Sequence, residues 1–550
     1  MSEPITGLSR RRFFGLGAAG AVVPMALSAV AGESWAAAQS PPPAWVPPSS
    51  VQPPTIRQLE HVARQFHLHL TTEDLEEYRS LMAGILGSYR RLDLYAEPRL
   101  PVKYPRDPGY RPPASENPLN AWYWRCSIKG AASGKLAGKK IAIKDNVCVA
   151  GVPMMNGASV LEGFVPDQDA TIVTRILDAG GEIVGKAVCE QFCFSGSSHT
   201  SDTGYVLNPH DATRSAGGSS SGSAALVVSG AVDMAIGGDQ GGSIRIPSSY
   251  SGAFGLKATY GLVPYTGVFP IELTLDHTGP IAGSAADCAL LLEVLAGPDG
   301  LDPRQARGWQ GQDYTKALTG DAKGLKIGIV AEGFGWEGLS EADVDRIVRE
   351  SAMRLGDAGA EVREISVPMH RDGVHVWNAI AVEGAHMLMI DGNSMGTNWQ
   401  GHYLTQLLDF YGRSRRVRAD DYSETCKLVL LLGEYMQQAY HGRYYAKAQN
   451  LARVLREAYD DAFAGVDLLV MPTTPQKATV LPPAGASKTE IVAHALNMIH
   501  NTCPFDVTGN PAINVPCAMS EGLPVGMMLI GRLGEDATVL RAAHAYQQLG

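Results

Sequence analysis

The chain has 550 residues, 45% hydrophobic and 19% charged, with a formal net charge of −10. That is ordinary globular composition with material for a large core, and its acidic balance excludes a general nucleic-acid binder, which needs clustered Lys and Arg. Eight cysteines in so long a chain exclude a disulfide scaffold.

In chain order, Ser9-Arg10-Arg11-Arg12-Phe13 precedes a small, apolar stretch at 14–31. Charged, apolar and small-residue parts in that order predict a twin-arginine export signal over residues 1–38, cut after Ala31 or Ala38. The protein is then periplasmic or extracellular, and cytoplasmic without that signal. Glycines and Pro24 make the run too short and irregular for a membrane span. Seven prolines within 39–55 forbid helix and sheet and predict an extended tether. From Ile56 to about Tyr95 the rhythm is helical. Leu59, Val62, Ala63 and Phe66 share a face, Thr72 precedes Glu73 and Asp74 as a cap, and Leu75, Tyr78, Leu81, Met82 and Ile85 continue the face. With the proline-rich stretch that follows, residues 56–118 form a small N-terminal helical region.

Residues 119–550 alternate between strand and helix. Strands are expected at 141–143, 182–184, 232–236 and 326–330. Helices are expected at 170–179, 224–229, 343–358 and from Asp536 onward. Such alternation means an α/β sheet covered by helices. The basic knot Arg413, Arg415, Arg416 and Arg418 is short and isolated, and reads as an ion-paired helix end. Cys189 and Cys193 have helical spacing, but no CxxC, HExxH or Cys/His cluster accompanies them, so they read as buried thiols and no metal is called for.

Two glycine-serine stretches carry the chemistry: 215–225, and Gly237-Gly238-Asp239-Gln240-Gly241-Gly242-Ser243-Ile244-Arg245. Apolar segments that must pack lie between and after them, which opposes a flexible linker. Glycines accept positive φ and let successive N–H groups converge on one point, which is how main chain builds an anion hole. Gly180 to Lys186 has phosphate-loop spacing, but Ala187 follows where Ser or Thr would hold magnesium, so Gly180-Gly181 reads as a helix stop. Ser220 stands in a Gly-x-Ser-x-Gly spacing without the apolar strand that a nucleophile elbow needs.

The strings Gly217-Gly218-Ser219-Ser220-Ser221-Gly222-Ser223-Ala224-Ala225 and Asp239-Gln240-Gly241-Gly242-Ser243-Ile244-Arg245-Ile246-Pro247 resemble the signature of the amidase signature family. Lys144-Asp145-Asn146 resembles its lysine motif. Further matches are Asn208-Pro209, the stretch 255–261, Asp467 to Thr473, Asn510-Pro511-Ala512 and the stretch 522–526, so the likeness runs from about 120 to near the chain's end. The stretch 263–280 and the helical N-terminal piece are similar to bacterial enantioselective amidases found beside nitrile hydratases. Ala258 departs from the family's usual proline.

The resemblance implies an α/β amidase signature fold, a mixed central β-sheet surrounded by helices, and hydrolysis of a carboxamide to acid and ammonia through an acyl-enzyme. It makes Ser243 the nucleophile and Lys144 the terminal base. Ser219 becomes the bridging serine, held by a cis peptide bond from Gly218 or by similar local geometry. The N–H groups of Gln240, Gly241, Gly242 and Ser243 become the oxyanion hole. No metal or organic cofactor is implied. A homodimer is a family habit, with the helical appendage as its interface. The physics is independent of the likeness. A serine hydroxyl attacks only when a base takes its proton, and a lysine of reference pKa 10.4 is neutral at pH 7 at a cost of about 4.6 kcal/mol, so the site must desolvate Lys144. Asp239 and Arg245 are expected to brace the loop, and Asp145 to brace its own. Trp377 reads as a pocket wall or a core residue. Ser219, Ser220 or Ser221 could instead cap the helix starting near Gly222. An aryl-acylamide, ester or carbamate hydrolase would use the same triad. A glutamine amidotransferase component for charged tRNA is disfavoured by the export signal, and a non-catalytic binding protein by the intact triad.

Overall fold

The computed structural model describes residues 51–550 apart from 307, 397 and 399, so the twin-arginine pattern and most of the tether lie outside the described residues. Contacts divide the chain into a unit ending at Ala96 and a second running Glu97–Gly550.

In the first unit, α1 (Ile56–Gln65) and α2 (Thr72–Leu92) each open with a capping box, Thr55 with Gln58 and Thr71 with Asp74. Thr71, not Thr72, supplies the second cap: its hydroxyl accepts the Asp74 N–H, while the Asp74 carboxylate accepts the Thr71 N–H. Leu59, Ala63 and Leu75 are buried, whereas Leu81 and Ile85 stay exposed. The helical region is shorter than the expected 56–118, because α2 ends at Leu92 and Tyr110 already pairs with Arg125 of the second unit's first strand.

The second unit is built on one mixed sheet of eleven strands: β1 (Trp122–Lys129), β2 (Lys140–Lys144), β3 (Glu182–Ala187), β4 (Met234–Asp239), β5 (Phe254–Lys257), β6 (His277–Ala282), β7 (Lys326–Val330), β8 (Glu361–Ile365), β9 (Leu468–Pro472), β10 (Ala512–Ser520) and β11 (Leu523–Gly531). Their spatial order is β1-β3-β2-β4-β6-β5-β10-β11-β9-β7-β8. β3, β2 and β4 run parallel to one another, so their carboxyl ends emerge side by side. That is where open α/β sheets hold ligands. Central strands such as β9 and β11 are buried throughout and read as apolar runs, while edge strand β8 is partly exposed.

Helices cover both faces, among them α3 (Thr171–Asp178), α4 (Ser221–Val228), α5 (Arg245–Ser251), α6 (Ala285–Leu295), α7 (Ala342–Arg354) and α8 (Gly373–Ala385). The expected strands and helices recur within a few residues. α7 stops four residues early, ahead of Gly356 and of Gly359, whose φ is +95°. α3 ends into Gly180 at φ +84°, the helix stop expected there. All eight cysteines are free, and seven are buried. Arg413 pairs with Asp409 at 2.8 Å and Arg418 with Asp421 at 2.8 Å, so the basic knot is an ion-paired helix end. Among the described residues no helix is long and apolar enough to cross a membrane.

α4 lies so close to the sheet that a Cβ on Gly222 would sit 2.3 Å from the Ala121 carbonyl oxygen and 2.6 Å from the Val188 nitrogen. Gly-to-Ala in a helix normally gains up to about 1 kcal/mol. Here Gly222→Ala is expected to destabilise by about 2–3 kcal/mol through overpacking, read as a lower urea midpoint at unchanged m-value.

Candidate active site

Lys144 closes β2, and its side chain is fully buried. Its Nζ lies 2.7 Å from Ser219 Oγ and donates to the Gly238 carbonyl at 3.1 Å. The next residue, Asp145, lies in the turn just past the strand and makes contacts of its own. Asp145 pairs with buried Lys186 of β3 at 3.0 Å and accepts the Met155 and Asn156 N–H groups at 2.9 and 2.8 Å. Burial keeps the Asp145 carboxyl above its ordinary value, although Lys186 pulls it down. Among the described residues no carboxylate forms an ion pair with Lys144.

Ser219 precedes α4 and does not cap it. Ser220 is the N-cap residue and makes no side-chain cap bond, which leaves the Ser219 hydroxyl to Lys144. The Gly218–Ser219 peptide bond is cis, one of the two alternatives expected. Ser219 O accepts the Glu190 N–H at 3.1 Å, and the Ser220 N–H donates to Ser243 O at 3.2 Å, so the two serine-bearing strings are tied through main chain.

The loop between β4 and α5 carries Gln240 to Ser243. Asp239 holds it by accepting the N–H groups of Gly242 at 2.6 Å and Ile244 at 3.0 Å. Gly242 is thereby removed from the expected anion-hole donors, because its amide is committed to the Asp239 carboxylate. Arg245 in turn grips Asp239 with two bonds of 3.0 Å and reaches Asp506 at 2.7 Å and the Thr502 carbonyl at 2.9 Å. Burial alone would raise the Asp239 carboxyl, but Arg245 holds it well below the usual range, whereas burial and the Asp239 charge push Asp506 well above it. Asp239 and Arg245 thus contact the loop's main chain and each other.

Beside this loop is a pocket enclosing about 410 Å³ of empty space, its mouth included. Ser243, Gln240, Gly241 and Cys193 form its polar side, and Phe194, Ile246, Ile271, Leu275, Trp377 and Ile499 its apolar walls. Trp377 of α8 is thus a wall residue. Its ring lies 6.4 Å from that of Phe194, and its indole N–H donates to the Gln240 carbonyl at 2.6 Å. A Cβ on Gly241 would meet the indole at 2.7 Å, which is the reason for glycine there. Gln240 Nε2 donates to the Tyr265 hydroxyl at 2.9 Å, and burial pushes neighbouring Asp276 up to about 8. The pairing of Lys186 and the contacts of Glu190, Tyr265 and Asp506 were not expected from sequence. Glu190 and Asp506 had a visible signal, a lone acid inside an apolar run.

Residues 119–540 match the family described as Amidase. The chain belongs to that family of amide-bond hydrolases. It is 48% identical over 499 residues to an enantioselective amidase of Rhodococcus rhodochrous, covering 90% of this chain and 96% of the relative. It is 37% identical over 423 residues to a glutamyl-tRNA(Gln) amidotransferase chain of Methanosarcina mazei, covering 76% of this chain and 86% of that one. Among solved structures, the native peptide amidase of Stenotrophomonas maltophilia superimposes with a TM-score of 0.61 at 28% identity, over 76% of this chain and 83% of its own.

Removing Lys186 leaves a buried carboxylate without a cation. Lys186→Met is expected to destabilise by about 3–5 kcal/mol, and Lys186→Met with Asp145→Asn by markedly less. Denaturant midpoints of the two variants check the difference.

Proposed function

We propose that the chain hydrolyses primary carboxamides carrying a neutral, apolar acyl group, releasing acid and ammonia. Ser243 is the nucleophile, Ser219 the bridge and Lys144 the base. One observation carries this: a fully buried amine 2.7 Å from the Ser219 hydroxyl, whose neighbouring carboxylate is taken up by Lys186. In this relay Lys144, anchored by one N–H on the Gly238 carbonyl, takes the Ser219 proton. Ser219 takes the proton of Ser243 as its Oγ attacks the carboxamide carbon. The oxyanion is received by the amides of Gln240, Gly241 and Ser243, each well-placed donor lowering the barrier by roughly 3 kcal/mol. The proton returns through Ser219 to the leaving nitrogen, because ammonia leaves only when protonated. Water attacks the acyl-enzyme by the same route. The Phe194, Trp377 and Leu275 walls offer an acyl group contact and no charge. That favours apolar amides over glutamine, whose ammonium and carboxylate need charged partners, and the 48% likeness to an enantioselective amidase supports the same choice.

A panel of aliphatic, aromatic and charged amides, anilides and carbamates tests this through ammonia or amine release. Neutral apolar amides should be turned over best, and Ser243→Ala should lose both turnover and labelling by a fluorophosphonate. Preference for charged amides, or labelling that survives in Ser243→Ala, would sink the assignment.

The order of residues 9–38 supports export through the twin-arginine route, with 39–55 as a tether, and the helical residues 56–92 support a homodimer interface. Arg10→Lys with Arg11→Lys should retain the protein, uncleaved, inside the cell. Mass spectrometry of the mature N-terminus reads this out.

A further inference from the structure

Glu190 stands in the apolar run Val188-Cys189-Glu190-Gln191-Phe192 and is fully buried. Among the described residues it forms no ion pair with Lys or Arg. Its Oε2 instead accepts the Thr200 hydroxyl at 2.7 Å and the N–H groups of Thr200 at 2.9 Å and His199 at 3.1 Å. Burial pushes the carboxyl up to about 7 even with these bonds lowering it. A buried acid held by dipoles alone adds little to stability, so its position calls for another reason.

That reason is the company it keeps. The carboxylate folds the segment 195–200 back on itself, and the Gly196 carbonyl of that segment accepts the Gly218 N–H at 2.8 Å. The Glu190 main chain donates to Ser219 O at 3.1 Å. A Cβ on Gly218 would lie 1.9 Å from the Ser197 carbonyl oxygen and 2.8 Å from Glu190 Cγ, so segment and side chain close around that residue. The dipeptide carrying the bridging hydroxyl is clamped on one side by Glu190 and on the other by the turn Glu190 organises.

We propose that Glu190 is a positioning residue for Ser219: its carboxylate, through Thr200 and the segment 195–200, fixes the Gly218–Ser219 unit so that the hydroxyl meets Lys144. This rests on the Ser219 relay proposed above. Glu190 touches neither substrate nor reacting atoms, and it acts on turnover through Ser219.

The test is a double-mutant cycle on the full chain with a neutral apolar amide, reading kcat and KM and checking folding by circular dichroism. Glu190→Asp withdraws the carboxylate by one methylene and should lower kcat by about 10²-fold, the scale of a 1 Å misplacement. Glu190→Gln keeps a carbonyl where Oε2 stands and should recover kcat to within about tenfold of the parent. In a Ser219→Ala background the Asp change should lower the residual rate by less than about threefold, since a residue acting through a missing partner has nothing left to move. If Glu190→Asp does not fold, Thr200→Val removes the shortest bond to the carboxylate, together with the Gln191 N–H contact to the same hydroxyl. It should lower kcat by roughly fivefold with Ser219 present and not in its absence. Folded Glu190→Asp at parental kcat, or an equal fall in both backgrounds, overturns the assignment while leaving the relay intact. Parental kcat in Ser219→Ala itself would overturn the relay, and the role of Glu190 with it.

Discussion

The site depends on where one carboxylate points. Asp145 follows Lys144 directly, and an opposite charge at about 4 Å is worth about 4 kcal/mol at the effective dielectric of a protein interior. That is close to the roughly 4.6 kcal/mol by which a reference lysine resists being neutral at pH 7. A carboxylate turned toward a buried lysine therefore opposes its use as a base. Asp145 lies in the turn just past β2, where Lys186 on β3 pairs with it at 3.0 Å. The Met155 and Asn156 amides take its second oxygen. The buried Asp145–Lys186 pair thus decides the company of the neighbouring amine.

The loop of Gln240 to Ser243 follows a similar logic of charge. Two carboxyl groups and a guanidinium meet, fully buried, behind Ser243. Arg245 draws Asp239 down while Asp506, crowded by that anion, is pushed up. One cation facing one full anion and one acid that resists ionising is the arrangement a dry interior tolerates. Its structural effect is local. Asp239 bonds the amides on one side of the loop and leaves Gln240, Gly241 and Ser243 to face the pocket.

Much of this was legible from residue order. The alternation of apolar runs with glycine stops marked the strands at 141–143, 182–184 and 232–236, which the structure pairs in parallel, and the glycine-serine strings marked loops of the site. Local signals failed where the deciding contact was distant in sequence. Gly242 looked like a free donor because its acceptor is a side chain three residues back whose orientation Arg245 and Asp506 set. Lys186 looked like part of an incomplete phosphate loop because only strand pairing brings it beside Asp145. Thr72 looked like a cap because the choice between adjacent threonines turns on one peptide's geometry, and Asp74 answers Thr71.

The indole of Trp377 has a double tie. It walls the pocket, and its N–H is fastened to the Gln240 carbonyl at 2.6 Å, on the strip of main chain proposed to receive the oxyanion. The surface that lines the pocket is therefore mechanically continuous with the surface proposed to stabilise the charge of the reacting acyl group. A substrate that seats badly against the ring disturbs the amides at the moment they are needed, so recognition and rate are not separate dials in this enzyme. Widening the pocket at that ring trades breadth of substrate for speed.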